Sequence, residues 1–269
     1  MHKLRYALNH MTAPTLPAGD FFRLASMLGI SAVEIRNDLA GNAILDGTPP
    51  ETVRRLAQAE GLEIISINAL QRFNDWNAER AEEAKVLIDY ARDSGAQALV
   101  LVPVNDGSGQ EDGARQSNLL RALTQLRPML EEAGILGFVE PLGFDICSLR
   151  SKREAAEAIA QAGGGVFRLV HDTFHHHLAG EPEIFPELTG LVHISGVSDP
   201  AVGIADMRDP HRVLVDGDDR IDNVGQVRAL LSAGFDGYFS FEPFAPSVHA
   251  YPDPQAAVGA SMAYIDRSI

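Results

Sequence analysis

Three observations predict a single (β/α)8 TIM barrel spanning residues 1–269. First, eight short apolar or β-branched runs alternate with eight amphipathic helical stretches. Second, glycine recurs at the junction where a helix stops and the next run begins. Third, four late runs each end in one metal-ligand side chain: LGFVE at Glu140, FRLVHD at Asp172, LVH at His193 and YFSFE at Glu242. In a parallel barrel, strand ends of this kind meet over the C-terminal mouth, where barrel enzymes keep their active sites. A chain of 269 residues is a typical length for one such barrel.

The elements follow in order. Strand 4–9 (LRYALN) opens the alternation, helix 17–28 ends before Gly29, and strand 32–36 (AVEIR) follows. Thr48-Pro49-Pro50-Glu51 predicts a capping Thr with Pro in the first turn of helix 50–60, and Gly61 closes it. Strand 63–69 leads to Asn77, a cap for helix 77–94, which stops at Gly95. Strand 98–104, helix 113–133, Gly134 and strand 136–140 come next. Ser151 and Glu154 form a capping box for helix 152–162, after which Gly163, Gly164 and Gly165 each offer a stop. Strand 167–172, a short helix at 182–188, strand 191–195, helix 223–233 with Gly234, strand 238–242 and helix 254–267 complete the eight units. The segments 71–77, 105–112 and 196–221 all follow strands and belong on the mouth side as lid or specificity loops.

Composition narrows the function. Hydrophobic residues make up 45% and charged residues 22%, the balance of a soluble globular protein. No apolar run approaches the roughly 20 residues that span a bilayer, and MHKLRYALNHM lacks the apolar centre of a secretory signal. The single Cys147 rules out an internal disulfide, which fits the cytoplasm, and no activating partner marks it as a nucleophile. A formal charge of −15, from 22 basic and 37 acidic residues, disfavours nucleic acid and favours a small neutral or cationic substrate.

Strand alternation tests the strand-end pattern. If Glu140 points inward so does Phe138; if Asp172 points inward His171 points outward; if Glu242 points inward so does Ser240. Glu, Asp, His and Glu are hard or borderline ligands suited to Mn²⁺, Mg²⁺, Co²⁺ or Zn²⁺. A lone acid at one strand end is often a solvated or capping residue, but four in succession make a common centre the better reading. Glu34 and Arg36 share a parity and face the mouth either as substrate contacts or as a structural ion pair. Asn9 ends its strand as a substrate contact or a turn residue. Phe73 and Trp76 either cover a polyol ring or pack their own loop, and the site reading is preferred because Trp76 is the only tryptophan. In the HHH run, His176 and His177 read as structural, and His211 and His249 fall in loops.

LNHMT, VEIRNDL, INALQRFND, VLVPV, FVEP, LVHDTFHHHLAG, VHIS, DPHRV and FSFEPFAP, in chain order, together carry a resemblance that runs nearly end to end. The chain resembles the xylose isomerase-like TIM barrels, a superfamily of sugar isomerases and epimerases, and within it the 2-keto-myo-inositol (inosose) isomerase group of inositol catabolism. The most specific part is Asp-x-x-His at Asp172 and His175, followed by the later His and Glu. The resemblance implies one divalent metal on Glu140, Asp172, His193 and Glu242, and substrate oxygens held by His175 and Arg212. It implies Glu140 and Glu242 as the acid and base of an isomerisation through an enediolate. Related outcomes are ketose 3-epimerisation, a hydroxypyruvate-type isomerisation, or dehydration of an inosose. Related barrels often dimerise or tetramerise, so a homo-oligomer is a further expectation, although no interface stripe is visible. Two departures stand out: Ser195-Gly196 where relatives often carry acids, and VLVDGDD in the substrate-closing loop. Both bear on substrate identity.

Overall fold

Eight strands hydrogen-bond in parallel, each to the next in the chain, and the last returns to the first to close a barrel. This arrangement comes from a computed structural model that describes residues 4–41, 44 and 47–269. The strands are β1 (Arg5–Asn9), β2 (Ala32–Arg36), β3 (Glu63–Gln71), β4 (Ala98–Val102), β5 (Leu136–Val139), β6 (Phe167–Asp172), β7 (Thr189–Ile194) and β8 (Tyr238–Phe241). The helices are α1 (Ala18–Met27), α2 (Pro50–Ala59), α3 (Ala78–Ser94), α4 (Ala114–Ala133), α5 (Lys152–Gln161), α6 (Thr173–Ala179), α7 (Asn223–Ser232), α8 (Pro246–His249) and α9 (Pro254–Ser268). The protein is a single (β/α)8 TIM barrel.

Two apolar layers build it. A large cluster lies between strands and helices, with Phe21, Phe22, Leu87, Leu123, Phe167 and Phe239 among its members. A smaller cluster of Ala7, Ala32, Ile65, Ala98, Val100, Phe138, Val170 and Leu191 fills the barrel interior. Alternate strand residues feed these two layers, as a period of two requires. Glycines make the junctions: Gly95 and Gly134 end α3 and α4 in the left-handed conformation, with φ of 79° and 68°. Among the described residues, no helix is long and apolar enough to cross a membrane.

Three sequence expectations need correction. The sixth helix is not at 182–188 but at Thr173–Ala179, directly off the end of β6. Asp172 is at once the last residue of β6 and the N-cap of α6, where its side chain accepts from the His175 amide. The cap at the start of α2 is Pro49 rather than Thr48, so the helix starts on Pro50 without a side-chain cap bond. The cap at Asn77 forms as the sequence predicts, and Ser151 likewise accepts from the amide three residues on, but Glu154 turns to Arg115 and does not complete the box.

Candidate metal centre

Each of the four strand-end side chains is buried at the barrel mouth. Glu140 and Glu242 lie one residue past β5 and β8, yet their amides still bond to Leu101 and Ile194 on the neighbouring strands. The backbone therefore fixes them as firmly as strand residues. Asp172 and His193 sit opposite one another in the β6–β7 register. One ligand atom from each of Glu140, Asp172, His193 and Glu242 falls within 4.8 Å of all the others. His193 Nδ1 is the hub, 2.8 Å from Glu140 Oε1, 3.2 Å from Glu242 Oε2 and 3.8 Å from Asp172 Oδ2.

The surroundings compensate the clustered acids. Arg212 is only 2% exposed, and its Nη2 bridges Asp172 Oδ2 at 2.7 Å and Glu242 Oε2 at 2.9 Å. Its Nε donates to Ser195 Oγ at 2.9 Å. Arg36 donates to Glu242 Oε1 at 2.8 Å and grips Asp38 with two further nitrogens. Asn9 donates to Glu242 Oε1 at 3.1 Å and accepts from Arg36 and from the Met11 amide. Glu242 is thus held by three donors, whereas among the described residues the Glu140 side chain bonds to His193 alone.

The long loop after β7 delivers Arg212. It folds back through a 3-10 turn at Asp209–His211, and Val213 pairs with Gly196 in an antiparallel bridge. The Arg212 carbonyl then accepts from the amides of Phe244 and Ala245, just beyond β8. His175 projects from the first turn of α6, its ring edge-on to Phe144 and Phe174. Its Nδ1 is buried and has no hydrogen-bond partner among the described residues. Gly143 allows the loop after β5 to press on this helix: a Cβ there would stand 2.3 Å from the His175 carbonyl.

The other sequence candidates separate. Glu34 is wholly buried on the far side of His193 from the other three donors, with Nε2 of the imidazole 3.2 Å from its Oε2. It accepts from Ser66, Asn68 and Ser240 and does not pair with Arg36. Trp76 is half-buried and packs against the larger apolar cluster. Phe73 is fully buried in the same cluster. His211 accepts from the Arg208 amide, and His249 contacts the Pro243 carbonyl. Cys147 is buried, and burial pushes its thiol up to about 11. Sequence reasoning did not find Ser66 and Asn68. β3 departs from simple alternation, because its pairing with β2 shifts register between Val33 and Glu34.

Electrostatics follow from this crowding. Burial pushes Glu140 up, and the charges of Glu242 and Asp172 add to that while His193 opposes it. Burial also opposes ionisation of Asp172, but Arg212, His175 and His193 hold it below the carboxylate range. For His193, burial favours the neutral ring, yet Glu242, Glu34 and Glu140 outweigh it and raise the imidazole well above its ordinary value. The buried carboxylates Glu34, Glu140, Asp172 and Glu242 face two buried guanidiniums, Arg36 and Arg212. Two negative charges remain, and a protonated His193 offsets one. A divalent ion on the same donors would offset both and leave His193 neutral, so the charge balance and the oxygen-rich donor set fit such an ion.

The outward face of β6 carries a different cluster. His171 lies beside Asp172 but turns towards the helices, with its Nδ1 2.9 Å from Lys152 Nζ and its Nε2 2.9 Å from Gln226 Oε1. Lys152 Nζ also lies 2.7 Å from His176 Nδ1 on α6. Burial pushes the Lys152 amine down to about 7, with Glu181 and Asp172 pulling weakly the other way. Burial likewise lowers His171, and it lowers His176 to about 4, with Lys152 adding to both effects.

Comparison with known proteins agrees with this fold. A family model described as "Xylose isomerase-like TIM barrel" matches residues 22–268. A xylose isomerase domain containing protein from Salmonella typhimurium superposes with a TM-score of 0.89 at 35% identity, covering 100% of this chain and 97% of that one. An IolI protein solved with a zinc atom superposes with a TM-score of 0.83 at 20% identity, over 98% and 96% of the two chains. A D-allulose 3-epimerase from Methylomonas sp., solved with D-allulose, gives 0.77 at 16% identity, over 100% and 98%. Among curated proteins, none matches the chain. With the family match extending over nearly the whole barrel, the chain belongs to the xylose isomerase-like TIM barrel family.

Proposed function

We propose that this protein is a divalent-metal-dependent isomerase of ketose-type polyols, with an inosose such as 2-keto-myo-inositol as its substrate. The observation that carries this reading is the meeting of four buried donors, Glu140, Asp172, His193 and Glu242, within 4.8 Å. A divalent ion held there supplies Lewis-acid polarisation of a carbonyl and the neighbouring hydroxyl. The chain's own groups supply the rest. Arg212 bonds Asp172 at the centre, His175 feels the charges of Asp172, Arg212 and Glu140, and its buried Nδ1 is left over for a substrate oxygen. Glu140 and Glu242 are the acid and base. One removes the proton from the hydroxyl-bearing carbon, a proton returns to the adjacent former carbonyl carbon, and the hydroxyl proton passes to the former carbonyl oxygen. Burial raises Glu140, which suits a carboxyl that must both accept and release a proton. Asn9 and Arg36 hold Glu242 in place. One barrel domain, 1–269, carries this activity in the cytoplasm, where the single buried Cys147 stays reduced.

A ketose 3-epimerase is the second reading. It is favoured by fold similarity to the D-allulose 3-epimerase and to a D-psicose 3-epimerase from Clostridium cellulolyticum solved with D-tagatose. The same groups would return the proton to the opposite face of one carbon. Proton NMR in D₂O separates the two. Mn²⁺-loaded enzyme is expected to put deuterium beside the carbonyl of 2-keto-myo-inositol and to form a new inosose. An unlabelled inosose together with exchange at C3 of a ketohexose would hand the assignment to the epimerase.

A further inference from the structure

Glu34 has no place in the proton transfer proposed above, yet it is the most completely enclosed carboxylate in the barrel. It is 0% exposed. An ionised carboxylate so placed is costly unless its oxygens are taken up by donors. Here they are. Ser240 Oγ donates to Oε1 at 2.5 Å. Ser66 Oγ and Asn68 Nδ2 donate to Oε2 at 2.5 Å and 2.7 Å. Three neutral side chains from β3 and β8 therefore pin the carboxylate and fix its direction. Its remaining neighbour is His193 Nε2, at 3.2 Å from Oε2.

The two nitrogens of His193 have different tasks. Nδ1 faces Glu140, Glu242 and Asp172. It can donate its lone pair to a metal only if it carries no proton. A neutral imidazole has one N–H, and the partner of one nitrogen decides where that hydrogen stays. Once an ion engages the carboxylates beside Nδ1, the acceptor-only carboxylate beside Nε2 keeps the hydrogen there and leaves Nδ1 bare. The pinning matters, because a carboxylate free to rotate would not hold the ring plane. Register supports the geometry: Ser240 lies opposite His193 between β7 and β8, and Ser66 lies opposite Glu34 between β2 and β3.

We infer that Glu34 is a positioning residue for the metal centre: it accepts the Nε2 hydrogen of His193, holds the imidazole with Nδ1 free for a divalent ion, and so sets metal affinity. The inference rests on the metal-centre reading above and adds a role for a residue that touches neither metal nor substrate. A purely structural Glu34, serving only to tie β2, β3 and β8 together, would not alter the His193 tautomer.

The test is calorimetric titration of Zn²⁺ and Mn²⁺ into metal-free wild type and Glu34→Gln, with ¹⁵N NMR of the histidine rings on the Zn²⁺-loaded forms. Glu34→Gln keeps the shape and an acceptor oxygen but loses the charge. Its expected affinity is about 10- to 100-fold weaker, the usual effect of removing such an outer partner. In the wild type, the His193 spectrum should show hydrogen on Nε2 and a metal on Nδ1. Ser240→Ala removes one pinning donor while keeping the carboxylate, and should weaken binding by a smaller factor in the same direction. It serves if Glu34→Gln does not fold. Equal affinity in a folded Glu34→Gln, or in Ser240→Ala where that variant must serve, overturns the inference, as does a wild-type His193 with hydrogen on Nδ1. A wild type that binds neither ion sinks the metal centre itself, and the role of Glu34 with it.

Discussion

His171 and Asp172 are adjacent on β6 and enter opposite worlds. Asp172 turns inward to a cluster of carboxylates balanced by Arg36, Arg212 and His193. His171 turns outward to a cluster built around one amine, Lys152, with His176 and Gln226. Both clusters are buried and both contain histidine, but their histidines shift in opposite directions. His193 rises because carboxylates surround it, whereas burial and Lys152 lower His171 and His176. The inner cluster has an excess of negative charge, which invites a cation from outside the chain. The outer cluster has no excess of carboxylates, and its one amine is bonded to both histidines and pushed towards its neutral form. Burial of polar groups is therefore not itself the mark of a site. The sign of the uncompensated charge, and access to the mouth, distinguish the two.

Substitutions on each side of β6 test this contrast. The largest effect belongs to the inner carboxylates. Glu140→Gln or Glu242→Gln should lower turnover by about 10²- to 10⁴-fold, measured as deuterium incorporation into the ketone. Near-normal turnover in both single variants and in the double variant would remove the proposed acid and base. Next comes His175→Ala, which should cost roughly 10-fold in kcat/KM through one lost hydrogen bond to substrate while metal content stays near that of the wild type. Loss of metal in that variant would move His175 into the ion's own coordination.

The outer cluster should answer differently, in stability and not in chemistry. Lys152 has a folded pKa of about 7, below the 10.5 of a free lysine. Between those values the unfolded chain holds a proton that the folded chain lacks, so this group makes stability rise with pH. Below pH 7 both states are protonated, and the full cost of burying the ammonium is present. Lys152→Met removes that dependence. The wild type should gain on the variant by roughly 1.4 kcal/mol for each pH unit from 7 towards 10 in chemical denaturation. Turnover of the folded variant should stay within a few-fold. A collapse of turnover comparable to Glu140→Gln would erase the division between the two faces of β6. The smallest effect is expected from Arg92→Ala, which removes exposed contacts to Asp89 and Asp93 and should leave the unfolding midpoint nearly unchanged.

Much of the contrast is legible in the chain. Glu140, Asp172, His193 and Glu242 announce themselves because each ends an apolar run. Period two then sends Phe138 and Val170 inward and His171 outward. The sixth helix is the informative failure. Thr173–Ala179 reads TFHHHLA, too short to show a helical period, and its cap, Asp172, is also the last strand residue. PEIFPEL at 182–188 looks more amphipathic but forms no helix. On β3, Ile65 and Ala69 join the interior cluster, while Ser66 and Asn68 also reach the inward Glu34. A register shift lets neighbours share a face, and alternation cannot foresee it.

Local periodicity, caps and the residue at each strand end were enough to write down the barrel, its strand order and the four candidate donors. Tertiary structure decided what lies between those donors and the rest of the chain. It returned Arg212 through a long loop to Asp172 and Glu242, set Glu34 behind His193, and left Trp76 against the outer core. The physical reason is that these placements depend on register and loop closure between residues as far apart as Glu34 and His193, 159 positions along the chain. Hydrophobic patterning records only which face of its own strand a residue takes.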